Sequence, residues 1–278
     1  MKRSSPFHFA GYPHIPRTVI LIFPVFACIF KINPVNPGGG IMAKTALVTG
    51  GARRIGRAIS LGLADSGFDI ALHYHHSLSE AESVAGAIVS AGRKCTLYRA
   101  DFSRMTEVNR LISDVLENHS DCELLVNNVS LFQKAGFLET DEALYDRHFM
   151  VNVKVPFFLT QSFALGREKG HVVNILDTKI SKEMTGYFVY SMTKKTLHEF
   201  TRLSAKALGP DIRVNGVAPG MILSSADTTE SELERMAAGI PLGRKGEVGD
   251  VVSAVRFLVG QPYITGQTIY VDGGEHLN

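Results

Sequence analysis

Short apolar runs that read as strands alternate with stretches of helical spacing from residue 44 to the C-terminus. Lys44 to Thr49 (KTALVT) predicts a first strand, which runs through GGARRIG into the helical pattern AISLGLADSG. FDIALHY predicts the second strand, Ser79 to Ala91 a helix, Lys94 to Ala100 a third strand, and RMTEVNRLISDVLEN a helix. CELLVN (Cys122 to Asn127) is the fourth strand, and Asp141 to Leu165 carries helical spacing. The apolar run VVNIL is a fifth strand, and the helix after it continues through EFTRLSAKALG. Ile212 to Ala218 is a further strand, Val248 to Val259 a helix, and Gln267 to Val271 the last strand. The connection from Met221 to Gly246, rich in Ser, Thr and acids, reads as a lid over a substrate.

Residues 1–41 break the rhythm. MKRSSPFHFAGYPHIPR is basic and proline-punctuated, and the apolar run Thr18 to Phe30 is too short for a membrane span, which needs about 20 apolar residues. Met42 follows Gly38, Gly39 and Gly40, and G-rich glycine codons suit a translated ribosome-binding site. The expectation is that Met42 is the native start, with residues 1–41 a non-native or disordered extension and residues 42–278 a single domain.

A 45% apolar and 20% charged composition suits a globular chain with a sizeable core, and a net charge of +2 supplies no basic field for nucleic acid. Neither nucleic acid nor membrane is an expected partner. Cys28, Cys95 and Cys122 match no zinc or redox spacing, which predicts a reducing, cytoplasmic compartment with thiols that fill space.

Candidate chemistry sits where strands end. Gly50 and Gly51 allow a sharp turn after the first strand, and Gly56, next to Ile55, clears the helix start for a pyrophosphate. Arg53 and Arg54 supply forked donors for phosphate oxygens. The second strand ends in His75, His76 and Ser77, where an NAD site places an acid; these donors suit a 2′-phosphate and predict NADPH. No carboxylate or Cys joins the histidines locally, so no metal is expected. Asp101, before Phe102, fits either an adenine contact or a helix N-cap. Asn128, Val129 and Ser130 close the fourth strand, with Phe132 either a ligand-stacking face or core. Asn152, a polar amide in the run VNVKVPFF, either bonds a kinked backbone near Pro156 and holds a water beside Lys194, or is an ordinary structural residue.

The densest stretch is VVNILDTKISKEMTGYFVYSMTKK. Tyr190 and Lys194 share a helix face at four-residue spacing, and Asp177 lies thirteen residues before the tyrosine. The pair predicts a reductase centre in which Lys194 lowers the Tyr190 pKa and an ionised Asp177 opposes it. Asp177 as a solvated helix cap is the alternative.

Together TG-x-x-x-x-x-G, NN after the fourth strand, VN, Y-x-x-x-K, PG and the terminal VDGG resemble the short-chain dehydrogenase/reductase family from Met42 to the C-terminus. The resemblance implies a Rossmann-type, doubly wound α/β fold with seven parallel strands and helices on both faces. It also implies a nicotinamide cofactor also contacted by Pro219, Gly220 and Met221, and a homotetramer packed through two long helices. Most members carry Ser where this chain has Asp177. TGGARRIG, LHYHHS, NNVSLF and that aspartate are similar to the pteridine reductases, a group that includes bacterial dihydromonapterin reductase and reduces pterins or dihydrofolate with NADPH. Carried over residue by residue, Arg54 and Ser130 contact cofactor phosphate and substrate, Phe132 sandwiches the pterin, and Asp177, Tyr190 and Lys194 form the catalytic group. Where those relatives often have Arg after HYH, this chain has His76. The competing expectations are a carbonyl reductase, such as a 3-oxoacyl-carrier-protein reductase, and a non-catalytic NADPH-binding regulatory protein.

Overall fold

Every second residue of a central strand faces the same side of its sheet, so a strand apolar on both parities has to be covered twice. The computed structural model describes residues 44–223 and 229–278, so the expectations for residues 1–41 and for Cys28 lie outside the described residues. Seven parallel strands form one sheet, β1 (Thr45–Val48), β2 (Asp69–Tyr74), β3 (Cys95–Arg99), β4 (Cys122–Asn127), β5 (Gly170–Ile175), β6 (Ile212–Pro219) and β7 (Thr268–Val271), in the order β3-β2-β1-β4-β5-β6-β7. The doubly wound Rossmann-type architecture implied by the family resemblance is the one observed.

Two cores follow from strand parity. Ala46 and Val48, Ile70 and Leu72, and Leu124 and Val126 pack against Ile59 and Leu63 of α1 (Arg54–Asp65), Val84 and Ile88 of α2 (Leu78–Ser90), and Val251 and Val255 in a later helix, Val248–Gly260. Leu47, Ala71, Leu125 and Val172 point the other way. They meet Val108 and Ile112 of α3 (Met105–Asn118), Leu159 and Phe163 of a helix over Val155–Gly166, and Ala205 of the long helix Phe188–Leu208.

The stretch from Asp141 to Leu165 is not one regular helix. α4 (Glu142–Phe149), N-capped by the Asp141 carboxylate, opens into a π-helical turn over Met150–Lys154 before α5 (Val155–Gly166) resumes with Pro156 in its first turn. The widened turn carries Asn152, a frequent association of π-turns with functional positions. In chain order the remaining helices are α6 (Phe188–Leu208), α7 (Glu230–Ala237) and α8 (Val248–Gly260). The expected lid connection contains α7, and its residues 224–228 lie outside the described residues.

Chain order reverses between β1 and β4, which leaves a crevice at their C-terminal ends, the usual ligand position in an open α/β sheet. The glycine turn after β1, the Asn128 segment after β4 and the Asp177 segment after β5 all converge on this side of the sheet.

Candidate active site

The glycine turn is shaped by close backbone approach. Gly50 has φ +63°, and a Cβ at Gly56 would lie 2.1 Å from the Gly50 carbonyl oxygen, so neither position admits a side chain without displacement. Arg54 also sits at φ +52°, an unusual conformation for a residue with a side chain, at the first position of α1. Thr49 joins the turn to β4: its hydroxyl accepts from the backbone N–H groups of Asn128 (2.8 Å) and Val129 (3.2 Å), while the Asn128 side-chain Nδ2 donates to Thr49 O and Gly50 O.

His73 holds the turn from the other side. The Gly50 N–H donates to Nδ1 at 3.0 Å, so the ring proton must reside on Nε2, which donates to Ala100 O at 3.1 Å. Burial pushes the His73 pKa down to about 4, against the raising effect of the Ala100 bond, and the neutral ring stacks on Phe102 at 4.1 Å. The Phe102 side chain is therefore core, and any ligand contact from that residue has to come from its backbone. His73 is structural, and among the described residues no group of His, Cys, Asp and Glu is placed to hold a metal.

Around the end of β2, the His75 and His76 rings lie 3.5 Å apart, tilted by 34°, and His75 Nε2 lies 3.8 Å from Asp101. Ser77 is the N-cap position of α2, without a side-chain cap bond. Asp101 does not cap α3, whose N-cap is Arg104. Its carboxylate accepts from the Ser103 N–H at 2.9 Å and lies 3.7 Å from Arg104, and the Ser103 bonds hold its pKa below the usual range despite burial. Arg53 pairs with Glu80 at 3.7 Å on the surface, a contact its expected phosphate role did not call for. The two cysteines among the described residues are free thiols raised to about 11 by burial, consistent with space-filling.

After β5 the chain turns into a short 3₁₀ helix, Thr178–Ser181, and Asp177 is its N-cap. Capping does not use up the carboxylate, because its two oxygens have different partners. Oδ1 accepts from the Lys179 N–H at 2.8 Å and lies 3.4 Å from Lys179 Nζ, while Oδ2 accepts from the Tyr190 hydroxyl at 2.6 Å. Tyr190 and Lys194 lie on the buried face of α6, and Lys194 Nζ donates to Ile175 O at 2.8 Å.

The electrostatics differ from the expectation that Lys194 lowers the Tyr190 pKa. Burial raises that pKa well above 10, and the Asp177 charge and hydrogen bond raise it further; the Ser130 hydroxyl works in the opposite direction. Lys194 is itself brought down to about 8, by burial and by Lys179, against the attraction of Asp177. Lys194 Nζ lies 5.8 Å from the Tyr190 ring centroid and is spent on a backbone carbonyl, so desolvation and the nearby carboxylate dominate. Tyr190 is therefore a protonated phenol at neutral pH.

Phe132 is 38% exposed, so it is not simply core. Its ring meets Tyr190 edge-to-face at 4.7 Å, stacks on Tyr187 at 4.6 Å, and lies 5.7 Å from Lys179 Nζ. Asn152 fixes this shelf: its Oδ1 accepts from the Leu131 N–H at 2.7 Å and its Nδ2 donates to Leu131 O and to Thr193 Oγ1, both at 3.0 Å. Those bonds go to the Phe132 segment and to α6, not to a kinked backbone near Pro156.

Sequence reasoning missed Tyr187 and Lys179. Tyr187 stands three residues before Tyr190, a spacing that places both on one side of the helix start, and Lys179 is two residues after Asp177. Near the chain's end, Gly220 donates its N–H to Val271 O, with the Asp272 Cβ 2.6 Å from where a side chain would begin; Met221 O accepts from Gly246 N. Pro219 thus ends β6, and Gly220 and Met221 follow it on the same side of the sheet.

Residues 50–276 match the family model described as enoyl-(acyl carrier protein) reductase. The chain is 34% identical over 244 residues to 3-oxoacyl-[acyl-carrier-protein] reductase FabG of Staphylococcus aureus, covering 85% of this chain and 99% of that protein. Its fold is similar to that of FolM alternative dihydrofolate reductase 1 from Brucella canis complexed with NADP, with a TM-score of 0.82 and 38% identity over 87% of this chain and 97% of that one. It is also similar to a blue fluorescent protein from a metagenomic library in complex with NADPH, with a TM-score of 0.78 and 32% identity over 83% and 97% of the two chains. Seven parallel strands in this order, the Tyr190–Lys194 helix and this extent of identity agree, and the chain belongs to the short-chain dehydrogenase/reductase family.

Proposed function

We propose that this oxidoreductase reduces a dihydropterin or dihydrofolate to its tetrahydro form with NADPH, using Asp177, Tyr190 and Lys194. The observation that carries the reading is the 2.6 Å bond from the Tyr190 hydroxyl to Asp177 beside the half-exposed Phe132 ring. A carboxylate against the phenol repels an alkoxide developing there, which disfavours ketone reduction. Reduction of a ring C=N bond instead needs a proton at nitrogen, and a carboxyl–phenol pair can hold and deliver one.

The residues present fit the nicotinamide nucleotide. Gly56 leaves no room for a Cβ at the start of α1, and Arg53, Arg54, His75, His76 and Ser77 form a set of donors suited to a 2′-phosphate. In this reading Gly50, Ile55, Asp101, the Phe102 backbone, Asn128, Val129, Ser130, Pro219, Gly220 and Met221 complete the nucleotide site. NADPH, when bound, supplies the hydride. Phe132 presents an aromatic face for a flat heterocycle, Asp177 orients the proton on Tyr190, and Asn152 holds the Phe132 segment against α6. Half-exposed Phe157 on α5 and Met192 on α6, with exposed Leu165 and Leu203, support packing of these helices in a homotetramer, which size-exclusion chromatography with light scattering tests.

The test of function is NADPH oxidation with dihydromonapterin, dihydrobiopterin and dihydrofolate beside a 3-oxoacyl substrate. Turnover of the ketone alone rejects the reading in favour of 3-oxoacyl reduction, a second reading supported by the 34% identity to FabG. Retention of both Tyr190 and Lys194 argues against a non-catalytic regulatory role.

A further inference from the structure

We infer that Asp272 and Thr178 are positioning residues that hold Asp177 against Tyr190, so that the C-terminal turn sets the geometry of the proton-donating pair. This rests on the proposed role of that pair. Thr178 directly follows Asp177, is 1% exposed, and donates its hydroxyl to Asp272 Oδ2 at 2.6 Å. The same Asp272 carboxylate accepts from the backbone N–H and Nδ1 of His276, both at 2.8 Å, and from the Gly274 N–H at 3.0 Å. The His276 ring in turn stacks on Tyr270 at 4.3 Å.

The other end of the short helix is tied to the same turn. Lys182, immediately after Ser181, reaches Glu275 Oε1 at 3.3 Å, and Glu275 is itself buried. A four-residue 3₁₀ helix has little hydrogen bonding of its own, so its orientation depends on such outside ties. Anchored at both ends, it presents Asp177 with one oxygen on the Lys179 amide and the other on the phenol. Rotation of this turn would separate Asp177 from Tyr190 while leaving the nucleotide-binding turns after β1 and β2 in place.

The experiment measures kcat and KM for dihydropterin reduction by NADPH. Thr178→Val, which removes the hydroxyl at nearly constant shape, is expected to lower kcat about tenfold with both KM values within about twofold, since small misplacements of reacting groups are costly. Thr178→Ser keeps the donor and is expected to retain kcat. In an Asp177→Asn background, Thr178→Val should add nothing further, because the group it positions is already lost. Equal kcat in the Val and Ser variants, or a loss that adds in full to Asp177→Asn, overturns the inference. Should Thr178→Val fail to fold, Lys182→Met loosens the other anchor at a more accessible site; a kcat loss that vanishes in Asp177→Asn is then expected, and wild-type kcat is the overturning result. Crystal structures separate this inference from the functional reading. Failure of the wild type on every pterin rejects that reading, whereas the clamp stands if the 2.6 Å Asp177–Tyr190 contact opens in Thr178→Val and persists in Thr178→Ser, and falls if it persists in both.

Discussion

The Tyr190 hydroxyl donates to Asp177 Oδ2 at 2.6 Å. Replacing the carboxylate therefore changes the chemistry on offer more than the fold. Asp177→Ser should cut pterin turnover by about 10²-fold or more, the scale of a lost proton-transfer group, while sparing or raising ketone reduction. Paired assays on one pterin and one 3-oxoacyl substrate check it; a parallel loss of both activities contradicts it.

Phe132 offers a partly open aromatic face in contact with Tyr190. Phe132→Ala is expected to raise the pterin KM about tenfold, from a lost stack of roughly 1 kcal/mol plus apolar contact area, with the NADPH KM little changed. Steady-state kinetics with each substrate varied in turn provides the check.

His76 stands beside His75 in the donor set proposed for the 2′-phosphate. A guanidinium there makes forked, charge-assisted bonds in a geometry that an imidazole ring does not offer. His76→Arg should tighten NADPH about three- to tenfold without improving NADH. Fluorescence titration with the two cofactors measures the ratio, and equal gains for both would remove His76 from the phosphate site.

Lys194 titrates near 8 in the folded chain, below its ordinary value of 10.5. Its charge is therefore present below about 8 and lost as pH rises through that value. If that charge supports Tyr190, kcat/KM should decline above about pH 8. A pH–rate profile flat to pH 10 would separate Lys194 from the proton-transfer step.

Acid should weaken the fold through two buried histidines. Burial lowers His73 to about 4 and His171 to about 3, with Arg213 adding to the latter, both below the ordinary 6.5. Between those values the unfolded chain binds protons that the folded chain does not. The stability they contribute is present above pH 6.5 and falls with pH, by at most about 1.4 kcal/mol per unit for each histidine. Urea midpoints at pH 7.5 and 5.0 should differ accordingly; equal midpoints would contradict the assignment.

The strands, their order of appearance and the Tyr190–Lys194 face follow from the sequence, because short apolar runs, period-3.6 burial and a four-residue spacing are local properties. Gly50, Asn128 and Asp177 were legible for the same reason, as residue types just after strand ends, and Gly56 as a glycine at a helix start. Tertiary structure decided the rest. It spent the Gly50 amide on His73, buried Phe102, paired Arg53 with Glu80, turned Asn152 toward Leu131, and broke the Asp141 to Leu165 pattern at a π-turn. It also overrode the expected lowering of the Tyr190 pKa by Lys194, since desolvation and the Asp177 contact arise only when the turn after β5 meets α6. Thr178 and Asp272 are 94 positions apart, and a hydrogen bond between them leaves no periodic mark in the chain. Local pattern specifies which groups stand at strand ends; packing between distant segments sets which of them touch and which proton each one holds.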